Sequence, residues 1–143
     1  MKLGIDFGTT RTVVACVDRG NYPIVSFFDD AGDARDFFPS VIAESHGELR
    51  FGFEALACTP DPAWTVVRSF KRVLGGAAQS PSDPVQVGGT TIAIGDLVTR
   101  FLVALKHALA ERSNQSKAFR EEDERALQSV VAVPANASGL ARF

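Results

Sequence analysis

The stretch Leu3-Gly4-Ile5-Asp6-Phe7-Gly8-Thr9-Thr10 decides how the rest of the chain is read. Leu3 to Phe7 alternates apolar with small or polar residues, the pattern of a half-buried strand. Asp6 stands near the end of that strand, and two residues later Gly8 opens a tight turn lined by the hydroxyls of Thr9 and Thr10. Gly8 has no Cβ, so the backbone there can come close to anionic oxygens. The amides and hydroxyls of Thr9 and Thr10 can donate to those oxygens, because successive N–H groups in a turn form an anion-binding concavity. Such a turn suits the phosphate tail of a nucleotide. A carboxylate beside phosphate requires a cation between them, so Asp6 points to Mg²⁺ held through water. On spacing alone, an ordinary β-hairpin with a Gly-Thr turn fits the same residues equally well.

Thr12 to Val17 resumes the strand pattern with β-branched residues, and Asp18-Arg19-Gly20-Asn21 has turn chemistry. Tyr22 to Phe28 reads as a third strand, giving an antiparallel meander at the start of the chain. Asp29 to Asp36 is a polar loop. Phe38 to Ala43 and Leu49 to Gly52 read as short strands around a turn at Ser45-His46-Gly47, with a short helix over Phe53 to Cys58. From Thr65 the period changes. Val66, Val67, Phe70, Val73 and Leu74 share one helical face, which Gly75-Gly76 ends. Ala77 to Pro84 is the best candidate hinge.

Val85 to Val87 and Thr90 to Ile94 flank a Gly88-Gly89 turn, a hairpin signal. Asp96 is the expected N-cap of the longest helix, in which Leu97, Phe101, Leu105 and Leu109 recur every four residues and Val98 and Leu102 widen the stripe. Arg120 to Arg125 is a charge run suited to a solvated turn or helix end. Ser129 to Val133 reads as a buried-type strand closed by Pro134. Helices and strands mix in a way that predicts an α/β or α+β chain.

Composition narrows the function classes. The chain has 143 residues, 45% hydrophobic and 22% charged, enough for one core of moderate size. Its net charge is -2, and 15 basic and 17 acidic residues intermingle without a basic block, so nucleic acid is not an expected partner. Apolar runs are short and no secretory signal opens the chain, which predicts no membrane span and a cytoplasmic location. Cys16 and Cys58 are isolated and fit reduced, buried thiols. His46 and His107 have no partner at metal-ligand spacing. Trp64 and the phenylalanine groups read as core or interface material before they read as a stacking platform.

The opening octapeptide resembles the first phosphate motif of the sugar kinase, Hsp70 and actin superfamily. Later segments are similar to the Hsp70 branch. Phe38-Pro39-Ser40-Val41-Ile42 resembles its Pro-Ser strand, and Leu49 to Ala55 its hydrophobic-Gly-x-x-Ala segment. Phe70-Lys71-Arg72-Val73-Leu74-Gly75 is similar to its Lys-Arg signature, and Val130 to Ala135 to its Val-x-Val-Pro-Ala strand. These segments keep the family's order and cover nearly the whole chain. The resemblance implies a partial actin-like, ribonuclease H-like ATPase fold. Residues 1–37 and 128–143 would form the lower-lobe sheet and residues 38–127 a smaller upper subdomain.

The resemblance also implies ATP or ADP with Mg²⁺ as cofactors, bound at Asp6, Gly8, Thr9 and Thr10. It makes Lys71 the catalytic lysine that reaches the γ-phosphate, and Pro134 the proline that relays nucleotide state. Unaided, Lys71 reads as a solvated helix lysine and Pro134 as a strand stop. The implied activity is ATP hydrolysis coupled to protein folding, with unfolded clients and co-chaperones as partners of a longer parent. In the resembled fold the second phosphate hairpin and the adenosine pocket come after Phe143. This chain alone is therefore expected to be inactive, and its meander to expose a face and an edge that favour self-association or strand exchange.

Arg11, Gly76-Ala77-Ala78 and Asn136-Ala137-Ser138-Gly139 depart from the family pattern and mark a divergent member. Two other readings share the Asp-x-Gly-Thr hairpin. One is a sugar or small-acid kinase, against which the Lys71 signature and the Val85 to Arg112 insertion weigh. The other is a non-catalytic binding or assembly module.

Overall fold

The computed structural model describes residues 1–69, 80–122 and 126–132, which form a mixed α/β chain with several small sheets. Strands β1 (Lys2–Phe7) and β2 (Arg11–Cys16) make the expected opening hairpin, pairing Leu3 with Cys16 through to Phe7 with Thr12. A small antiparallel pair follows, β3 (Phe27–Phe28) with β4 (Ala34–Arg35). Strand β5 (Phe38–Pro39) then adds to the free side of β2. Strands β6 (Ile42–Ser45) and β7 (Glu48–Phe51) flank the turn at His46-Gly47, where both residues take positive φ. Helix α1 (Gly52–Ala57) follows directly, and β8 (Thr65–Val67) pairs with the other side of β6. Strands β9 (Pro84–Val87) and β10 (Thr90–Ala93) form the second predicted hairpin. They lead into α2 (Ile94–Glu111), α3 (Ser116–Glu121) and β11 (Gln128–Ala132). Strand β11 lies parallel to β1, so the main sheet runs β11-β1-β2-β5.

The third strand of the meander does not form as a continuous element over Tyr22 to Phe28. Pro23 brings no N–H to a ladder. The segment follows β2 through a bridge at Ala15 and Ile24 and through bonds from Cys16 N to Pro23 O (3.0 Å) and Val25 N to Val14 O (2.8 Å). Thr65 to Val67, expected to begin a helix, is instead strand β8. Three β-branched residues suit the pleated edge beside β6 better than a helix start. Phe70 to Gly76, the rest of that expected helix, lies outside the described residues.

Helix α2 starts earlier than an Asp96 N-cap would place it. Ala93 precedes the helix in extended conformation, and Asp96 sits in the first turn, where its charge complements the helix dipole. Carbonyls of the preceding loop occupy the first amides, with Ile94 N bonded to Asp83 O and Gly95 N to Pro81 O. A side-chain cap is not needed there. Leu97, Phe101, Leu105 and Leu109 are buried, whereas Leu102 is exposed, so the apolar stripe is narrower than the sequence pattern predicts.

Phe101 ties this helix to the main sheet. Its ring centroid lies 5.3 Å from Phe7, 5.5 Å from Phe38 and 6.4 Å from Phe51. Burying such a ring contributes about 1.5–3 kcal/mol, and edge-on aromatic pairs add to it. Cys16 and Cys58 are both free and buried, as expected. Strand β11 departs from its buried-type reading, because all five of its residues are exposed. It lies on the sheet edge, and no described element covers it. No helix among the described residues is long and apolar enough to cross a membrane.

Candidate functional site

The β1–β2 turn brings together four of the residues singled out from the sequence. Alternation along β1 sends Leu3 and Ile5 into the core and leaves Asp6 exposed on the opposite face. No described residue forms a hydrogen bond or ion pair with the Asp6 carboxylate, which leaves it open to a ligand. Phe7 pairs with Thr12 and turns its ring onto Phe101, which anchors the base of the turn.

Gly8 is required by the geometry of the turn. A Cβ at this position would lie 2.3 Å from the carbonyl oxygen of Arg11, so the turn itself excludes any side chain. The Gly8 amide donates to that same oxygen at 3.1 Å and is therefore not available to an anion. The amides of Thr9 and Thr10 have no protein acceptor among the described residues, and these two remain as donors. The Thr10 carbonyl accepts the Ser40 amide at 3.1 Å. Below it the hydroxyls of Thr12 and Ser40 meet at 3.0 Å, both fully buried. The turn is thus braced from the β5 side and from the core.

Arg11, which departs from the family pattern, closes this turn. Its guanidinium lies 4.6 Å above the ring of Phe37, and no ion pair from a described residue engages it. A stacked cation one residue past two amides that no described residue engages adds positive potential where an anion would sit. The sequence signal was present, a basic residue directly after Gly8-Thr9-Thr10.

Lys71 and Pro134 lie outside the described residues. Among the described residues no group of three His, Cys, Asp or Glu could hold a metal. A Mg²⁺ ion that keeps its own waters would need only one carboxylate here, and Asp6 is the residue of the turn that could hold those waters. The tip is convex. One cleft lies between α1 and α2, lined by Phe53, Arg100, His107 and Arg112, and another lies beside Glu44, His46 and Thr90. Neither contains a residue of the turn.

The remaining candidates resolve as structural groups. Phe27, Phe38, Phe51, Phe53 and Phe101 belong to one core cluster. Arg50 stacks 4.5 Å over Trp64. Cys58 donates to the Glu54 carbonyl at 3.3 Å, and burial pushes the Cys16 thiol above its ordinary range. His46 is exposed in its turn, and His107 is exposed on α2.

No family model matches this chain. Over 75 residues, 52% of the chain, it is 38% identical to the chaperone protein HscA homolog of Colwellia psychrerythraea. The match spans 12% of that relative's length. About half of the chain is thus similar to a short stretch of an Hsp70-type chaperone.

Proposed function

We propose that this chain is the opening part of an Hsp70-like, actin-like ATPase lobe, and that its β1–β2 turn binds the phosphates of ATP or ADP. The observation that carries this reading is the turn itself. The amides of Thr9 and Thr10, which have no acceptor among the described residues, stand between the exposed Asp6 carboxylate and the Arg11 guanidinium stacked on Phe37, on a hairpin braced from the core. The similarity to a chaperone over 75 residues supports the same reading.

In this proposal the Thr9 and Thr10 amides and hydroxyls hold the phosphate oxygens. Asp6 holds the waters of Mg²⁺, which neutralises charge on the phosphates when bound. Lys71 keeps the role implied by its Lys-Arg signature, stabilising charge on the transferring phosphoryl group. Residues 1–37 and 128–143 belong to the lower lobe and residues 38–127 to the upper subdomain. The parent protein couples hydrolysis to the handling of unfolded clients with co-chaperones, in the cytoplasm. Positioning supplies most of phosphoryl-transfer catalysis, so this turn by itself binds weakly and does not turn over.

Amide-resolved NMR titration with Mg-ATP tests this reading. The expected result is a weak, saturable shift of the Thr9 and Thr10 amides that disappears in Asp6→Ala, with no measurable hydrolysis. A titration that leaves both amides unmoved would overturn it.

A further inference from the structure

The cleft between α1 and α2 holds a cation that the fold leaves half satisfied. Arg112 follows the last turn of α2 and is fixed from three sides. Its carbonyl accepts the Phe28 amide at 2.7 Å, its Nη2 donates to Asp30 at 3.0 Å, and its guanidinium lies 5.3 Å over the ring of Phe53. Nη1 is buried and has no hydrogen-bond partner, the one such side-chain atom among the described residues. A buried charged donor without an acceptor is costly, and most such groups in folded chains are paired. An acceptor from outside the chain would remove that cost.

The cleft has the shape and chemistry to receive one. It encloses about 260 Å³ and is floored by Phe38, Phe51 and Phe53, which belong to the main core. On the α2 wall Ala104 and Ala108, four residues apart on one helical face, leave space that longer side chains would fill. Arg100 and His107 stand on the same wall, and no described residue pairs with either. Glu54 and Glu111 also line the cleft, but both are exposed, where solvent screens them. Asp30, on Nη2, is itself 61% exposed. Nη1 lies out of water, so its field is the least screened in the cleft and favours an anion there.

We propose that this cleft binds a small carboxylic acid with a flat apolar body, at a site separate from the β1–β2 turn. One carboxylate oxygen accepts from Arg112 Nη1, and His107 supplies a second donor from α2. The Arg112 side chain is 33% exposed, so a small turn of the guanidinium presents Nη1 to the cleft. The apolar body lies between the phenylalanine floor and the two alanines. An ionised acceptor is selected over a neutral one because hydrogen bonds between charged groups are the stronger kind. The volume lies just below that of ordinary ligand pockets, roughly 300–1,000 Å³, which limits the occupant to about one ring. A ligand that small binds with Kd on the order of 1 mM.

Benzoate, titrated into the full chain to about 20 mM at constant ionic strength and followed by amide-resolved NMR, tests the proposal. Saturable shifts are expected at Phe53, His107 and Ala108, while Thr9 and Thr10 stay still. Benzyl alcohol has the ring without the charge and acetate the charge without the ring, and each should bind about tenfold more weakly or worse. Arg112→Met removes Nη1 and abolishes binding, whereas Asp30→Asn loses only the ion pair and retains it. Ala104→Leu fills the cleft and abolishes binding without touching Arg112. Circular dichroism confirms that each variant is folded, and should Arg112→Met fail to fold, undiminished binding in Ala104→Leu overturns the proposal. Cleft amides that benzoate leaves unmoved overturn it too, as do benzyl alcohol or acetate binding equally well. Full binding by a folded Arg112→Met would show that Nη1 serves only to rest on the Phe53 ring.

Discussion

Glu44 accepts a hydrogen bond at 2.9 Å from the amide of Gly89, 45 positions further along the chain. Its other carboxylate oxygen takes the Gly47 amide at 3.0 Å and the Thr90 hydroxyl at 2.9 Å. One buried side chain on β6 thereby clips the β6–β7 turn to the β9–β10 turn, and β10 leads directly into α2. The fit leaves no slack, since a Cβ at Gly88, whose φ is +57°, would lie 2.3 Å from the Glu44 carboxylate. Replacing Glu44 by Ala would leave these donors without their acceptor, which is costly for buried groups. Glu44→Ala is expected to lower Tm by several degrees in a calorimetric scan and to speed amide exchange at Gly89. An unchanged Gly89 exchange rate would show that the clip does not hold the second hairpin.

The same contacts set an acid limit on stability. The Gly89 amide, then the Gly47 amide and the Thr90 hydroxyl, hold the Glu44 carboxyl below its ordinary range. Arg35 chiefly does the same for Asp29, whose carboxylate also accepts the amides of Asp33 and Ala31. Because both folded-state values lie below the unfolded ones, the stability these groups contribute is fully present above the ordinary carboxylate range of about pH 4. It is lost as pH falls through the depressed values. Urea midpoints measured across the acid range should therefore fall steeply below about pH 4 in the wild type and less steeply in Glu44→Gln. Parallel curves would remove Glu44 from this account.

Two glycines on one hairpin should behave oppositely. At Gly8 a methyl group would meet backbone 2.3 Å away, whereas at Gly4 it would meet nothing within 4 Å. Gly8→Ala is expected to cost about 1–3 kcal/mol in urea unfolding and to abolish the Mg-ATP shifts of Thr9 and Thr10. Gly4→Ala should stay within about 0.5 kcal/mol of the wild type. Equal costs at both positions would show that the turn relaxes around a side chain.

What the sequence reveals of this molecule follows from how each feature is encoded. The opening hairpin and α2 are repeated patterns, alternation in Leu3 to Phe7 and a four-residue recurrence from Leu97 to Leu109, and both elements form where those patterns lie. The missed features depend on single residues or on neighbours. Pro23 interrupts a strand that composition alone favours, and Thr65 to Val67 adopts the strand geometry that β6 offers. Hydrophobicity at Val130 and Val131 signals a capacity for burial, but only the surrounding elements decide whether anything covers them. The Glu44 clip needs a partner 45 residues away, and no local pattern announces it. Asp6, Gly8, Thr9 and Thr10 are legible as a turn, yet the commitment of the Gly8 amide to Arg11 appears only in three dimensions.

Phe101 carries more of the core than any single contact distance suggests, because its ring meets Phe7, Phe38 and Phe51 together. Phe101→Ala is expected to cost about 3–5 kcal/mol, a large share of the total for a domain this size. It should also loosen the base of the β1–β2 turn through Phe7, seen as faster amide exchange at Gly8. Loss of stability without faster exchange there would separate the helix packing from the turn.

Arg11 offers the most direct check on how the turn attracts an anion. Its guanidinium stacks on Phe37, a contact worth about 0.5–1 kcal/mol at an exposed site, and no ion pair from a described residue neutralises it. If its charge draws phosphate to the Thr9 and Thr10 amides, Arg11→Ala should weaken the NMR-detected Mg-ATP affinity by roughly fivefold, about 1 kcal/mol, and flatten its dependence on salt. Arg11→Lys keeps the charge but not the planar stack, and should fall between the two. Phe37→Leu keeps the charge and frees it to move, so its affinity should follow that of Arg11→Lys. Should Arg11→Ala bind as well as the wild type with the same salt dependence, the two amides and Asp6 suffice, and the cation serves only to pin β2 against Phe37.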